Sequence, residues 1–165
     1  MNITRITKHL LFPHWQVKRA FPRQTMIAIE QAIKASEAAH TGEIRFVVEG
    51  ALDGTPLFKG QFARERAIDV YSQLRIWDTE HNNGVLIYLL LADRHVEIVA
   101  DRGIHAKVDS WVCDEICRRM ETDFKRRNYE DGVVSGIQAV TQYLTKHFPS
   151  SGAGLNELPD KPVVL

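Results

Sequence analysis

The chain has 165 residues, 44% of them hydrophobic, and balances 21 Lys and Arg against 21 Asp and Glu. That length builds one good core and hardly two, and zero net charge leaves no overall field to draw the protein onto a phosphate backbone, so nucleic acid is not an expected partner. No apolar run approaches the roughly 18 to 20 residues of a membrane helix, and Leu10-Leu11-Phe12 is too short for the apolar region of a signal peptide. The expectation is a single soluble, cytoplasmic domain without a transmembrane segment.

Residues 1–21 read as a basic amphipathic arm. Before Glu30 the chain holds Arg5, Lys8, Lys18, Arg19 and Arg23 and no acidic residue, with Leu10, Leu11, Phe12, Trp15, Val17 and Phe21 interleaved. The arm is expected to dock its apolar residues on the body, and peripheral contact with an anionic membrane surface is the other role open to it. Thr25 to Ala39 repeats apolar residues at helical spacing and stops at His40-Thr41-Gly42. Glu43 to Glu49 alternates as a strand does, with Ile44, Phe46 and Val48 on one face. Leu52 to Gly60 reads as a loop, and Phe62 to Leu74 returns to helical period, so the strands on either side of it should be parallel.

Asn83-Gly84 then punctuates the chain before Val85 to Leu91, an apolar run of strand length. Ala92-Asp93-Arg94 is a polar turn, and His95 to Val99 alternates polar and apolar, which completes an antiparallel hairpin. Val108 to Phe124 carries a helical apolar stripe, Tyr129-Glu130-Asp131-Gly132 is expected to break the chain, and a last helix runs from Val133 to about His147 before Pro149. Ser150 to Gly154, followed by Pro159 and Pro162, reads as a flexible tail covering 149–165. The predicted fold is α/β: a three-layer α/β/α sandwich whose small mixed sheet has one parallel pair and one antiparallel hairpin, with helices on both faces.

The stretch Asn82 to Gly103, N-N-G-V-L-I-Y-L-L-L-A-D-R-H-V-E-I-V-A-D-R-G, resembles the core of the TPM domain family, with its N-G-V-L-L-L run, D-R turn and glycine-ended strand. Gly42 to Val48, Trp77-Asp78 and Phe124 to Gly132, the last similar to an F-R-x-G-x-Y-x-x-G segment, extend the likeness, and residues 22–148 are identified as the TPM-like domain. The resemblance implies an α/β/α sandwich and a loosely defined set of activities. Thylakoid-lumen relatives are linked to photosystem repair and acid phosphatase activity, bacterial relatives bind calcium or other divalent cations, and an animal relative modulates a receptor. The family's V-x-D-x-A-x-x-L segment corresponds here to Arg19 to Met26, which has no carboxylate.

Hairpin geometry nominates one cation site, because the loop entering the first strand lies beside the residues leaving the second. Asp78, Glu80, Asn82 and Asn83 should face Asp101 and Arg102, and their oxygens suit a hard cation such as calcium or magnesium. The competing role for Asp78 and Asn82 is to cap turns. A second candidate lies at the opposite edge, where Glu49, Gly50 and Asp53 leave the first strand beside Asp93 and Arg94. Cys113 and Cys117 share an apolar stripe with no zinc-finger partners and are expected in the core. Arg118, Arg119, Lys125, Arg126 and Arg127 are mixed with acids and read as a solvated helix face. No nucleophile elbow, G-x-G-x-x-G or P-loop lysine is present; no catalytic or organic cofactor site is nominated. The functional expectation is a non-catalytic, cation-responsive interaction or assembly module for an unidentified protein partner. The alternative is a metal-dependent phosphatase acting on phosphate monoesters through Asp78, Glu80 and Asp101.

Overall fold

The structure, a computed structural model, describes residues 3–152 and 155–165. Strand β1 (Glu43–Glu49) and strand β2 (Gly84–Leu90) pair in parallel, with Phe46 opposite Ile87. Strand β3 (His95–Ala100) returns antiparallel to β2, with Ile87 opposite Ile98. Every residue of β1 and β2 is buried, because the polar members of the alternation find partners inside the fold, Glu43 and Arg45 on backbone groups of residues 157–161 and Glu49 on Arg66, instead of facing water.

One sheet face presents Ile44, Phe46, Val48, Ile87, Leu89 and Ile98 to a shared apolar core. It is covered by helices α3 (Arg23–Glu37), α7 (Ser110–Lys125) and α8 (Tyr129–His147). The other face presents Val47, Leu86, Tyr88 and Val99 to helix α5 (Ala63–Gln73), joined by Leu52, Leu57 and Ile76. Two apolar faces each sealed by helices make the expected α/β/α sandwich. The short helices α1 (Ile3–Leu10), α2 (Trp15–Ala20), α4 (Gly54–Phe58) and α6 (Arg102–His105) close its edges.

Three segments differ from the sequence expectation. Helix α8 starts at Tyr129, so Tyr129 to Gly132 is its first turn, and the break falls at Arg126-Arg127-Asn128, where Arg127 takes a φ of 64°. Gly132 is a packing residue: a Cβ there would lie 2.7 Å from Phe124 Cε1 and 3.0 Å from the Asp123 Cβ. The stretch read as loop contains α4. The tail read as flexible returns to the sheet, where β4 (Val163–Val164) pairs in parallel with Val47 and Val48, giving the strand order β3-β2-β1-β4. Two tail residues, 153 and 154, lie outside the described residues.

Candidate functional site

The turn before β2 is built around Asn83, which is fully buried. Its side-chain amide donates to the Thr41 carbonyl at 2.7 Å, its backbone amide donates to Thr79 Oγ1 at 3.1 Å, and its carbonyl accepts from the Glu43 amide at 3.2 Å. Asn83 thereby pins the start of β2 to the start of β1. Asn82, at a φ of 51°, accepts the Gly103 amide on its carbonyl and Arg102 Nε on Oδ1, both at 3.1 Å. Asp101 caps α6 by accepting the Arg102 amide at 2.7 Å, and its own amide donates to the Gly84 carbonyl at 2.9 Å. The hairpin thus brings Asn82 against residues 101–103, as its geometry requires.

The remaining nominated residues are spread along the surface. Asp78 is exposed and pairs with Arg75 at 3.2 Å. Glu80 is exposed, and its amide donates to Glu157 Oε2 at 2.9 Å. Among the described residues, none donates to the buried Asn83 Oδ1. The Tyr71 hydroxyl lies near Asp101, and burial together with that carboxylate raises the Tyr71 pKa. As one sphere for calcium or magnesium, Asp78, Glu80, Asn82, Asn83 and Asp101 do not fit as placed. Arg75 and Arg102 put positive charge on two of them, and no three His, Cys, Asp or Glu side chains among the described residues group closely enough to hold a metal.

At the opposite edge, the arm docks on the hairpin turn. Asp93 accepts Arg5 Nε at 2.9 Å and His9 Nε2 at 3.0 Å, while His9 Nδ1 accepts the Leu52 amide at 2.9 Å. A ring that accepts at Nδ1 and donates at Nε2 is the neutral tautomer with its proton on Nε2. Burial alone would raise Asp93, but the hydrogen bonds from His9 and Arg5 outweigh it and hold the carboxyl below its usual value. Glu49 accepts the Arg66 guanidinium at 2.9 and 3.0 Å and the Tyr88 hydroxyl at 2.6 Å. These bonds satisfy a charge buried beneath α5, which is a structural role. Asp53 precedes α4, exposed and without a side-chain capping bond.

A third polar cluster was not visible in sequence because the tail supplies half of it. Glu43 accepts the Glu157 and Leu158 amides at 3.3 and 3.1 Å, and Asn156 Nδ2 donates to Asp160 at 2.8 Å and to Glu37 at 3.4 Å. Burial, reinforced by Asp160 and Glu43, pushes the Glu37 carboxyl up to about 8. His40 is buried, and burial lowers its pKa against the opposing pull of the Gly42 backbone. Cys113 and Cys117 are free thiols that burial raises, Cys117 up to about 12, so both are poor nucleophiles.

The fold and these edges define an α/β/α sandwich with a mixed four-stranded sheet and polar networks at both strand ends. Residues 18–143 match the TPM domain, and the chain belongs to that family. The NMR structure of BA42 protein from the psychrophilic bacterium Bizionia argentinensis is 30% identical, covers 86% of this chain and 93% of its own, and superposes with a TM-score of 0.75. The N-terminal domain of a protein from P. gingivalis, at 21% identity, covers 76% of this chain and 79% of its own with a TM-score of 0.61, and shares the fold. No curated protein matches. Among the described residues no helix is long and apolar enough to cross a membrane.

Proposed function

We propose that the chain is a non-catalytic interaction or assembly module that presents the TPM fold to a protein partner. The observation that supports this reading is the commitment of the acidic side chains to structure. Asp78 is held by Arg75, Asp101 caps α6, and Arg102 occupies the Asn82 oxygen between them. Exposed Phe58, Phe62 and Trp77 supply the aromatic surface that protein interfaces favour. The free cysteines suit a reducing, cytoplasmic setting. A divalent cation that acts on this module has Asn83 Oδ1 as its open oxygen, must share the Asp101 carboxylate with the Tyr71 hydroxyl, and must displace Arg102 to recruit Asn82.

Two measurements on the chelator-stripped protein test the reading. Hydrolysis of an aryl phosphate with added magnesium, manganese, zinc or calcium is expected to stay at the protein-free rate. Turnover that is lost in Asp101→Asn would overturn the reading in favour of a metal-dependent phosphatase acting on phosphate monoesters. Amide-shift titration with calcium and then magnesium reports the cation response: saturable shifts confined to residues 78–84 and 101–103 define a cation-responsive module, and their absence defines a cation-independent one.

A further inference from the structure

A cavity of about 540 Å³ opens between the arm, the hairpin turn and the start of α8, at the edge remote from the turn before β2. Three arginines from separate elements line it: Arg19 on α2, Arg94 in the β2–β3 turn, and Arg127 in the α7–α8 turn. None of the three has a carboxylate partner among the described residues. Arg94 and Arg127 sit at φ values of 52° and 64°, a region that costs any residue carrying a Cβ and that glycine adopts freely.

The rest of the wall suits the same ligand. Asn128 precedes the 19-residue α8 without a side-chain cap, which leaves the amides of residues 129–131 without intrahelical acceptors at the positive end of the helix. Tyr129 is braced by Phe21 and Phe124, each with ring centroids 5.5 Å away, and the Arg19 guanidinium stacks 5.9 Å from the Trp15 ring. Two carboxylates also border the opening. Glu130 is engaged by the Thr25 hydroxyl at 2.7 Å, and Asp131 is exposed. Three arginines less two carboxylates leave one positive charge, so recognition here depends on the direction of guanidinium and amide donors more than on bulk charge.

We propose that this cavity is a binding site for a small polyvalent oxyanion, whose oxygens are taken by the forks of Arg19, Arg94 and Arg127 and by the free amides of the first turn of α8. This goes beyond the interaction role proposed above and does not depend on it. The test is an amide-shift titration of the full chain at low ionic strength with inorganic phosphate and, separately, citrate. Saturable shifts confined to residues 15–20, 93–95 and 127–131 are expected; response to phosphate alone assigns a phosphate-bearing ligand, and response to citrate alone a polycarboxylate. Arg94→Gln and Arg127→Gly are each expected to weaken binding about tenfold, with Arg94→Lys between them and the parent because it keeps the charge and loses the fork. All three arginines are exposed, so the variants keep the parent spectrum elsewhere, which serves as the folding control. No saturable shift from either anion at millimolar concentration, shifts scattered over the surface, or variants that bind as tightly as the parent would overturn the proposal. Since the cation titration reads residues 78–84 and 101–103, failure at one site is distinguishable from failure at the other.

Discussion

His9 shows what a single side chain does for the arm. It is 3% exposed and spends both ring nitrogens, one on the Leu52 amide and one on Asp93. In His9→Ala the Leu52 N–H is left buried without an acceptor and Asp93 loses a donor, at a cost of about 2 kcal/mol. Chemical denaturation should read that loss, and hydrogen exchange should show α1 opening ahead of the body. Exchange across residues 3–10 that matches the parent would show that α1 is held by something other than this clamp. The sequence flagged the basic arm, but of its described apolar residues only Val17 and Phe21 are buried while Leu10, Leu11 and Trp15 stay exposed; His9 carried no signal of its own, because its partner Asp93 lies 84 residues away. Asn83 was legible as a special position and its bonds were not: the oxygen acceptor that decides its role belongs to Thr41, in the bend that leads into β1.

At the scale of elements, periodicity located every long helix and all three long strands, because one apolar face repeated at the right period is what burial demands. It failed where a glycine has two meanings. Gly132 reads as a chain break from its own sequence neighbourhood, while in the structure it lies inside α8 where the Phe124 ring of α7 crosses. The two readings make opposite forecasts for Gly132→Ala. A helix interior gains about 1 kcal/mol from alanine in place of glycine, whereas an added methyl forced onto a packed ring costs about 1 to 3 kcal/mol. The contact at 2.7 Å favours the second effect, so the denaturation midpoint is expected to fall. A rise would show that Phe124 moves aside freely.

The whole molecule is held at its open sheet edge by the tail, and the tail is fastened by carboxyl groups. Glu37 has a folded pKa of about 8 against an ordinary 4.5, so the folded state retains a proton that the unfolded chain releases. Its contribution to stability is complete below pH 4.5 and is lost as pH rises through about 8. The melting temperature should therefore decline over this window, and Glu37→Gln, which cannot ionise, should flatten the decline. Parallel melting curves for the parent and Glu37→Gln would show that Glu37 ionisation is not linked to folding. Asp93 acts in the opposite sense, its stabilisation present above the ordinary 3.8 and lost at lower pH. Both contributions are present in full together only between the ordinary 3.8 of Asp93 and the ordinary 4.5 of Glu37.

By itself the sequence determined the class of fold, the parallel pair and the hairpin, since each follows from local spacing of apolar residues and from the reach of a connecting segment. Residues 82–103 carried enough of that pattern to resemble the TPM domain family, and the chain belongs to it. Only the tertiary structure decided that Val163–Val164 adds a fourth strand and that Glu37, Glu43 and Asp160 share a tail latch. It alone brings Arg19, Arg94 and Arg127 into one cavity. Those arrangements join residues tens of positions apart, and no local period records which distant side chain will supply a charge or a hydrogen bond.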